Sequence, residues 1–184
     1  MHAVRRPQDL ARQCPVEVMA PTVQSLPFIY ASPHSGTEYP PAFIAASRLD
    51  PLLLRRSEDS FVDEIFAAAP SLGAPLLKAC FARAYCDANR EPYELDPAMF
   101  EDDLPAYANT TSLRVAGGLG TIARVVGGGS EIYRGKLTFA EAEQRITQCY
   151  KPYHSTLTGL LQETRARFGC AVLIDCHSMP SIGG

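Results

Sequence analysis

Two histidines each follow an apolar, strand-like run of this chain. His34 comes after the run 27–31, and His177 comes after the run 171–175. Ligands gather at the carboxyl ends of parallel strands in open α/β sheets, so neighbouring strands would point both rings into one crevice. Two histidines and one carboxylate form a recurrent catalytic zinc set, with water in the fourth position. The spacing predicts such a metal site, although each histidine, taken singly, also fits a surface or capping role.

The carboxylate that would complete this set is less well defined by the sequence. Asp59 is the favoured residue, because it lies near the start of a candidate helix that follows His34. The acidic residues around it also suit the positive end of a helix dipole, which is the simpler explanation for any one of them. Glu38 lies in a loop whose geometry the spacing does not fix. Asp175, two residues before His177, could orient that ring from outside the ligand set.

A third group of polar residues lies around one short apolar segment. Arg83 and Arg90 flank it, together with Asn89. Guanidinium groups bind carboxylates through two parallel hydrogen bonds, so this group suits a substrate with a free carboxylate. The alternative is a structural ion pair between Asp87 and an arginine. His154 is predicted to pack or to support the site from outside.

The elements that must position these residues alternate between strand and helix. Strands are predicted over 27–31, 74–79 and 84–86, and helices over 49–56 and 57–69. A long, glycine-rich connection over 90–135 has little periodicity, which is typical of functional loops. A strong helix is predicted over 139–168. Its start has a capping-box pattern, Pro152 should break or kink it, and Gly169 should end it. A buried strand over 171–175 completes an α/β sheet.

Composition excludes several classes of protein. The 184 residues carry a formal net charge of −3 without any cluster of Lys or Arg, so we expect no nucleic-acid partner. No apolar run approaches the length of about 20 residues that spans a bilayer, and no signal peptide is evident, so we expect a cytoplasmic protein without a membrane partner. The six cysteines lack paired C-x-x-C spacing and are predicted to be free thiols.

Seven short segments together resemble the N-formylglutamate amidohydrolase family. They occur in family order between residues 27 and 181, and it is the full series that makes the resemblance specific. The segments are SPHSG at 32–36, YP at 39–40, EDSFVD at 58–63, DANR at 87–90, IYRG at 132–135, PYH at 152–154 and DCHSM at 175–179.

The resemblance implies a fold and a set of site residues. The fold would be α/β, phosphorylase/hydrolase-like and similar to the zinc carboxypeptidases, with a mixed, mostly parallel sheet flanked by helices. His34 and His177 match the family's zinc ligands, and Asp59 matches the position that completes the set. Asn89 and Arg90 resemble a carboxylate-binding pair. Weaker candidates for substrate contacts are Arg83, Arg124, Tyr133 and Arg134.

The resemblance also implies an activity and a domain organisation. The reaction would be hydrolysis of N-formyl-L-glutamate, or of a close N-acyl amino acid, to formate and glutamate, as in histidine degradation. Residues 1–26 would be a lead-in to a single amidohydrolase domain, 27–184. That domain is expected to lack its C-terminal part, which would carry further strands and a glutamate acting as general base.

Two rival functions remain open at this stage. One is a non-catalytic module of the same fold that binds carboxylates. The other is a cysteine hydrolase using Cys176, which is disfavoured because adjacent residues of a strand point to opposite faces and His177 could not activate the thiol.

Overall fold

The computed structural model of the protein describes residues 15–179, in which helices are short except near the C-terminus. The strands are β1 (Val16–Met19), β2 (Phe28–Ser32), β3 (Leu76–Ala79), β4 (Val125–Val126), β5 (Ser130–Glu131) and β6 (Val172–Asp175). The α-helices are α1 (Pro41–Ala46), α2 (Pro51–Leu54), α3 (Val62–Ile65), α4 (Leu113–Ala116), α5 (Phe139–Arg145) and α6 (Lys151–Phe168). Short 3-10 turns occupy Arg55–Ser57, Pro70–Leu72 and Pro97–Met99, and a π-helical segment occupies Ile146–Tyr150.

The main sheet has the strand order β1-β3-β2-β6. Strands β3, β2 and β6 are parallel, with Tyr30 opposite both Leu76 and Ile174, and β1 is antiparallel to β3. This arrangement confirms the predicted mixed, mostly parallel α/β sheet. Because three parallel strands end at the same edge of the sheet, the loops that follow them meet there, and these loops carry His34 and His177.

The two central strands are buried on both faces. Ile29, Leu76 and Leu77 have no measurable exposure, as expected of parallel strands covered by other elements. Residues of α6, including Tyr153, pack on β3 in one apolar cluster. A second cluster joins Phe43 to residues of the long connection, among them Leu95 and Ile122. Buried apolar contacts therefore anchor the sheet and the long connection.

Two predicted elements near the sheet edge were wrong. The segment 84–86 is a turn and not a strand, because the amides of Tyr85 and Cys86 both donate to the carbonyl of Ala82. The helix predicted over 57–69 is confined to α3. Its start is delayed because the Asp59 amide donates to the carbonyl of His34 at 3.0 Å, which ties this segment to the loop after β2.

The C-terminal helical region largely follows its prediction. Thr138 and Glu141 form the capping box, and Gly169 ends α6 with a φ of 79°. Pro152 does not interrupt the chain of helical turns. Instead, the π-helical segment ends directly before α6, so Pro152 lies in the first turn of α6, where a missing amide donor is tolerated.

Strand β6 was predicted to be buried but is partly exposed. Val172 is 41% and Leu173 39% exposed, because β6 lies at one edge of the sheet in the described part of the chain. Strand β1 was not predicted and lies within the proposed lead-in, of which residues 1–14 fall outside the description. The long connection contains α4 and the β4–β5 hairpin.

Two of the compositional expectations can be compared with the described residues. Within 15–179, no helix is both long enough and apolar enough to cross a membrane. Cys86, Cys149, Cys170 and Cys176 are free thiols. Cys14 lies outside the described residues.

Gly36 is predicted to be essential for joining the loop after β2 to the end of β3. A Cβ atom at this position would lie 2.2 Å from the carbonyl oxygen of Phe81 and 2.6 Å from that of Cys80. We expect Gly36→Ala to lower the free energy of unfolding by roughly 3 kcal/mol, measured by urea denaturation. Gly135→Ala is the control, since nothing lies within 4 Å of its Cβ position. Equal stability of the two variants would contradict this close approach.

Candidate metal centre

His34 is buried at the carboxyl end of β2, between two carboxylates. Its side chain contacts Asp59 through Nδ1, at 3.3 Å from Oδ2, and Asp87 through Nε2, at 2.7 Å from Oδ1. The three residues are 1%, 6% and 3% exposed respectively. Each ring nitrogen therefore has its own acidic partner in an environment that excludes most water.

His177 approaches the same carboxylate from the end of β6. Its Nδ1 lies 2.8 Å from Oδ2 of Asp59, and its Nε2 lies 2.9 Å from Oδ2 of Asp175. Asn89 Nδ2 is 3.1 Å from the same Nε2, and the Ser178 hydroxyl donates to Oδ1 of Asp59 at 3.1 Å. The centroids of the two imidazole rings are 4.9 Å apart. The predicted convergence of His34 and His177 at one sheet edge is thus present in the structure.

The donor set fits a divalent metal. One ligand atom from each of His34, Asp59 and His177 lies within 4.8 Å of the others. Tetrahedral coordination with zinc bonds near 2.0 Å separates ligand atoms by about 3.3 Å. The His34 Nδ1–Asp59 Oδ2 distance is 3.3 Å, and the His177 Nδ1–Asp59 Oδ2 distance is shorter, at 2.8 Å. Both Nε2 atoms face a further carboxylate, Asp87 or Asp175. Hydrogen bonds of this kind orient histidine ligands in metal sites.

Electrostatics at the centre favours charged groups despite burial. Burial lowers the pKa of His34, but its hydrogen bonds to Asp59 and Asp87 outweigh that effect and raise it above its ordinary value. Burial raises the pKa of Asp59 and Asp87, but hydrogen bonds to histidine outweigh it and hold both pKa values well below their usual range. The site thus keeps two carboxylates ionised and attracts positive charge.

Asp87 connects the histidines to the arginine group. Its Oδ2 lies 3.0 Å from Nε of Arg83 and 3.4 Å from Nη2 of Arg90, and its Oδ1 accepts the amide of Asn89 at 2.9 Å. The structural ion pair considered in the sequence analysis is therefore formed. Arg90 also donates to the carbonyls of Leu119 and Asn89, so its guanidinium is engaged by the chain itself.

A cavity of about 460 Å³ opens beside the centre and is large enough for a small molecule. Asp59, Asp87 and Ser178 line it, together with Arg56 and Arg83. Arg56 was missed from the sequence. The sequence offered one signal, the position of Arg56 three residues before Asp59. In the structure, the Gly127 backbone packs against Arg56, since a Cβ atom at Gly127 would lie 2.8 Å from the Arg56 carbonyl oxygen.

The structure does not bring three of the predicted substrate contacts into this cavity. Arg124, Tyr133 and Arg134 line a separate cavity of about 240 Å³. Arg124 pairs with Asp96 at 2.9 Å, the Tyr133 hydroxyl accepts from Arg145 at 2.7 Å, and Arg134 donates to the carbonyl of Ser47 at 2.9 Å. Their contacts in the structure are with the protein's own chain.

Comparison with known sequences gives consistent matches. The profile described as N-formylglutamate amidohydrolase matches residues 26–184. The chain is 29% identical over 158 residues to N-formylglutamate deformylase of Pseudomonas aeruginosa and 27% identical over 158 residues to that of Pseudomonas putida. Each match covers 85% of this chain and 53% of the relative, so the chain spans about half the length of the curated relatives it matches.

Solved structures give the same picture. The crystal structure of N-formylglutamate amidohydrolase from Ralstonia eutropha superposes with a TM-score of 0.84 at 38% identity, over 91% of this chain and 59% of that one. A gene product of Agrobacterium tumefaciens superposes with a TM-score of 0.59 at 20% identity, over 92% of this chain and 58% of that one, which indicates a shared fold.

Removal of the Asp87 carboxylate is predicted to be costly. Asp87→Ala would leave His34 and two guanidiniums without their shared partner, so we expect a loss of roughly 3 kcal/mol or more in the free energy of unfolding. Glu131→Ala is the control, because Glu131 pairs with two arginines but its side chain is 50% exposed, and its loss should cost about 1 kcal/mol or less. Chemical denaturation measures the free energy of unfolding of both variants. If Asp87→Ala lowers it as little as the control does, Asp87 does not have a central role in the site.

Proposed function

The chain belongs to the N-formylglutamate amidohydrolase family, and from this membership we propose that the protein hydrolyses the formyl amide of N-formyl-L-glutamate to formate and glutamate in a metal-dependent reaction. The observation that supports metal dependence is the convergence of His34, Asp59 and His177. Because the chain spans about half of its curated relatives, the activity is proposed for the whole protein. We place it in cytoplasmic histidine degradation.

In this proposal, His34, Asp59 and His177 are the ligands of a zinc ion. When bound, zinc supplies Lewis-acid chemistry, which acidifies water and polarises a carbonyl. Asp87 accepts a hydrogen bond from the Nε2–H group of His34, and Asp175 accepts one from that of His177. The Nδ1 lone pairs of the two rings are therefore left for coordination. A fold like that of the zinc carboxypeptidases would suit this arrangement at the sheet edge.

The cavity beside the centre suits a substrate with two carboxylates. N-formylglutamate has two, and Arg56 and Arg83 both line the cavity, although Arg83 also pairs with Asp87 through Nε. We propose that these two arginines hold the substrate so that its formyl group lies at the metal. Arg90 is assigned a supporting role through its contact with Asp87, and Asn89 one through its backbone amide, which donates to the same carboxylate. Arg124, Tyr133 and Arg134 are not assigned to substrate binding, since they line the other cavity.

The general base is not assigned among residues 15–179. Glu58 lines the cavity, but its carboxylate accepts from the hydroxyl of Tyr39 at 2.6 Å and from Arg55 at 3.0 Å. A base committed to two donors is poorly suited to accept a proton from water. The sequence-based expectation of a glutamate base outside these residues stays a prediction.

Cys176 does not support the rival cysteine mechanism. The side chain is buried, and burial raises the pKa of its thiol to about 11. The sulfur lies 3.5 Å from the carbonyl of Ile174, whereas the His177 ring faces Asp59 and Asp175. A catalytic thiol needs a lowered pKa and a neighbouring base, and Cys176 has neither.

Elemental analysis tests the metal site directly. We expect about one zinc per chain in the wild type and little or none in His34→Ala and His177→Ala, because each substitution removes one of three protein ligands. Cys176→Ala is the control, since it lies beside His177 in sequence and should retain the metal. Unchanged zinc in both histidine variants would rule out this site.

Substrate selectivity tests the assignment of the arginines. We expect formate release from N-formylglutamate to exceed release from N-formylglutamine by about tenfold or more in kcat/KM, because the amide cannot form the charged bond to a guanidinium. Arg56→Met should reduce this preference, while Arg124→Met, in the other cavity, should keep it.

N-acetyl and N-succinyl glutamate, assayed in parallel, separate a deformylase from other amidohydrolases. Thermal stabilisation by N-formylglutamate without any turnover would favour the non-catalytic carboxylate-binding module.

A further inference from the structure

The turn that carries Asp87 and Asn89 is held by three side chains from one helical region. The His154 ring donates from Nε2 to the carbonyl of Ala88 at 2.8 Å. The Tyr150 hydroxyl donates to the carbonyl of Arg90 at 2.8 Å, and Arg145 Nη1 lies 3.5 Å from the carbonyl of Tyr85. Carbonyls within and at both ends of the turn therefore each have a side-chain donor from outside it.

The π-helical segment explains why these three donors face the same way. In a regular α-helix, residues five apart point about 140° away from each other. Arg145 immediately precedes the π-helical segment and Tyr150 ends it. The i→i+5 hydrogen bonding of a π-helix widens the turn and brings such residues closer to one face. His154, four residues further along α6, then lies near Tyr150, and their rings are 4.2 Å apart.

Arg145 shows that this arrangement is maintained at some cost. It is only 6% exposed and forms no ion pair with a carboxylate within 15–179. Its guanidinium instead lies over the ring of Tyr85, at 4.6 Å, and donates to the Tyr133 hydroxyl at 2.7 Å. A buried cation is expensive unless it is compensated, and here aromatic faces and oxygen acceptors provide the compensation. The contact with Tyr85 anchors the start of the turn, and the bond to Tyr133 holds the guanidinium in place.

We propose that Arg145, Tyr150 and His154 are positioning residues for the metal centre. By fixing the turn, they place Asp87 against Nε2 of His34 and so set the orientation of that ring, and they hold Asn89 next to His177. This inference rests on the proposed function, because it assigns these residues a role in the same site. None of the three touches the ligand set itself.

Metal affinity, measured by competition with a chelator, provides the first test. We expect Tyr150→Phe and His154→Leu each to weaken zinc binding by about tenfold, as disruption of outer hydrogen bonds to ligands does in other sites. His154→Gln keeps a donor and should recover part of the loss. Tyr93→Phe is the matched control: Tyr93 lines the same surface cavity as Tyr150 and His154, but the group that acts on its hydroxyl is the nearby carboxylate of Glu143 and not a carbonyl of the turn.

A double-mutant cycle shows whether the effect passes through Asp87. In an Asp87→Asn background, Tyr150→Phe should have little further effect on zinc affinity, because the carboxylate it positions is already gone. Full additivity would overturn the proposal. So would variants that unfold at lower temperature yet bind zinc as tightly as the control, since this would mean that the residues are merely structural.

Hydrogen exchange of the metal-free, full 184-residue chain tests the same inference without any metal. The Asn89 amide donates to Oδ1 of Asp87, so its exchange rate reports how firmly the turn is held. We expect faster exchange in Tyr150→Phe and His154→Leu than in Tyr93→Phe. If the wild type binds no zinc, the proposed function fails while this measurement still decides the inference. Equal exchange in all three variants would overturn it.

Discussion

The whole site depends on the burial of two ionised carboxylates at one edge of the sheet. Asp59 and Asp87 are 6% and 3% exposed, and each such group costs several kcal/mol to bury unless it is compensated. The compensation comes from positive charge and hydrogen-bond donors. Arg83 and Arg90 reach Asp87, and two imidazoles reach Asp59. A divalent cation between the imidazoles and Asp59 would complete the balance, and for this reason the electrostatics and the ligand geometry support the same proposal.

The sequence allowed the prediction of those parts of the site whose position follows from local pattern. His34 and His177 directly follow apolar runs, and parallel pairing of β2 with β6 is sufficient to bring them together. Asp59 could be favoured but not placed, because its position depends on one long-range hydrogen bond from its amide to the carbonyl of His34. Asp87 could be recognised as an ion-pair partner of arginine, whereas its bond to His34 joins residues 53 positions apart and leaves no local pattern.

The parts that could not be predicted are those in which tertiary contacts override local preference. Residues 84–86 are apolar enough for a strand, but they form a turn that brings Asp87 within hydrogen-bond distance of His34. Arg134 lies in a segment that resembles the family, yet it lines the other cavity. Arg124, just before the β4–β5 hairpin, also lines the other cavity, while its neighbours Ala123 and Val125 line the site cavity. Alternation along a strand thus separates adjacent residues into two cavities, and the sequence does not reveal which face meets which cavity.

Departures from local rules concentrate around the site, and this distribution is itself informative. Phe61, which in 15–179 is the one non-glycine residue with positive φ, lies two residues after Asp59. The π-helical segment and the buried Arg145 hold the turn that carries Asp87. Each departure carries an energetic cost that packing elsewhere must offset, and such departures persist mainly where a geometry is required. The central strands β2 and β3 show none of them. The chain therefore accepts strain where two imidazoles face one carboxylate, and such preorganisation is what the proposed cation site would require.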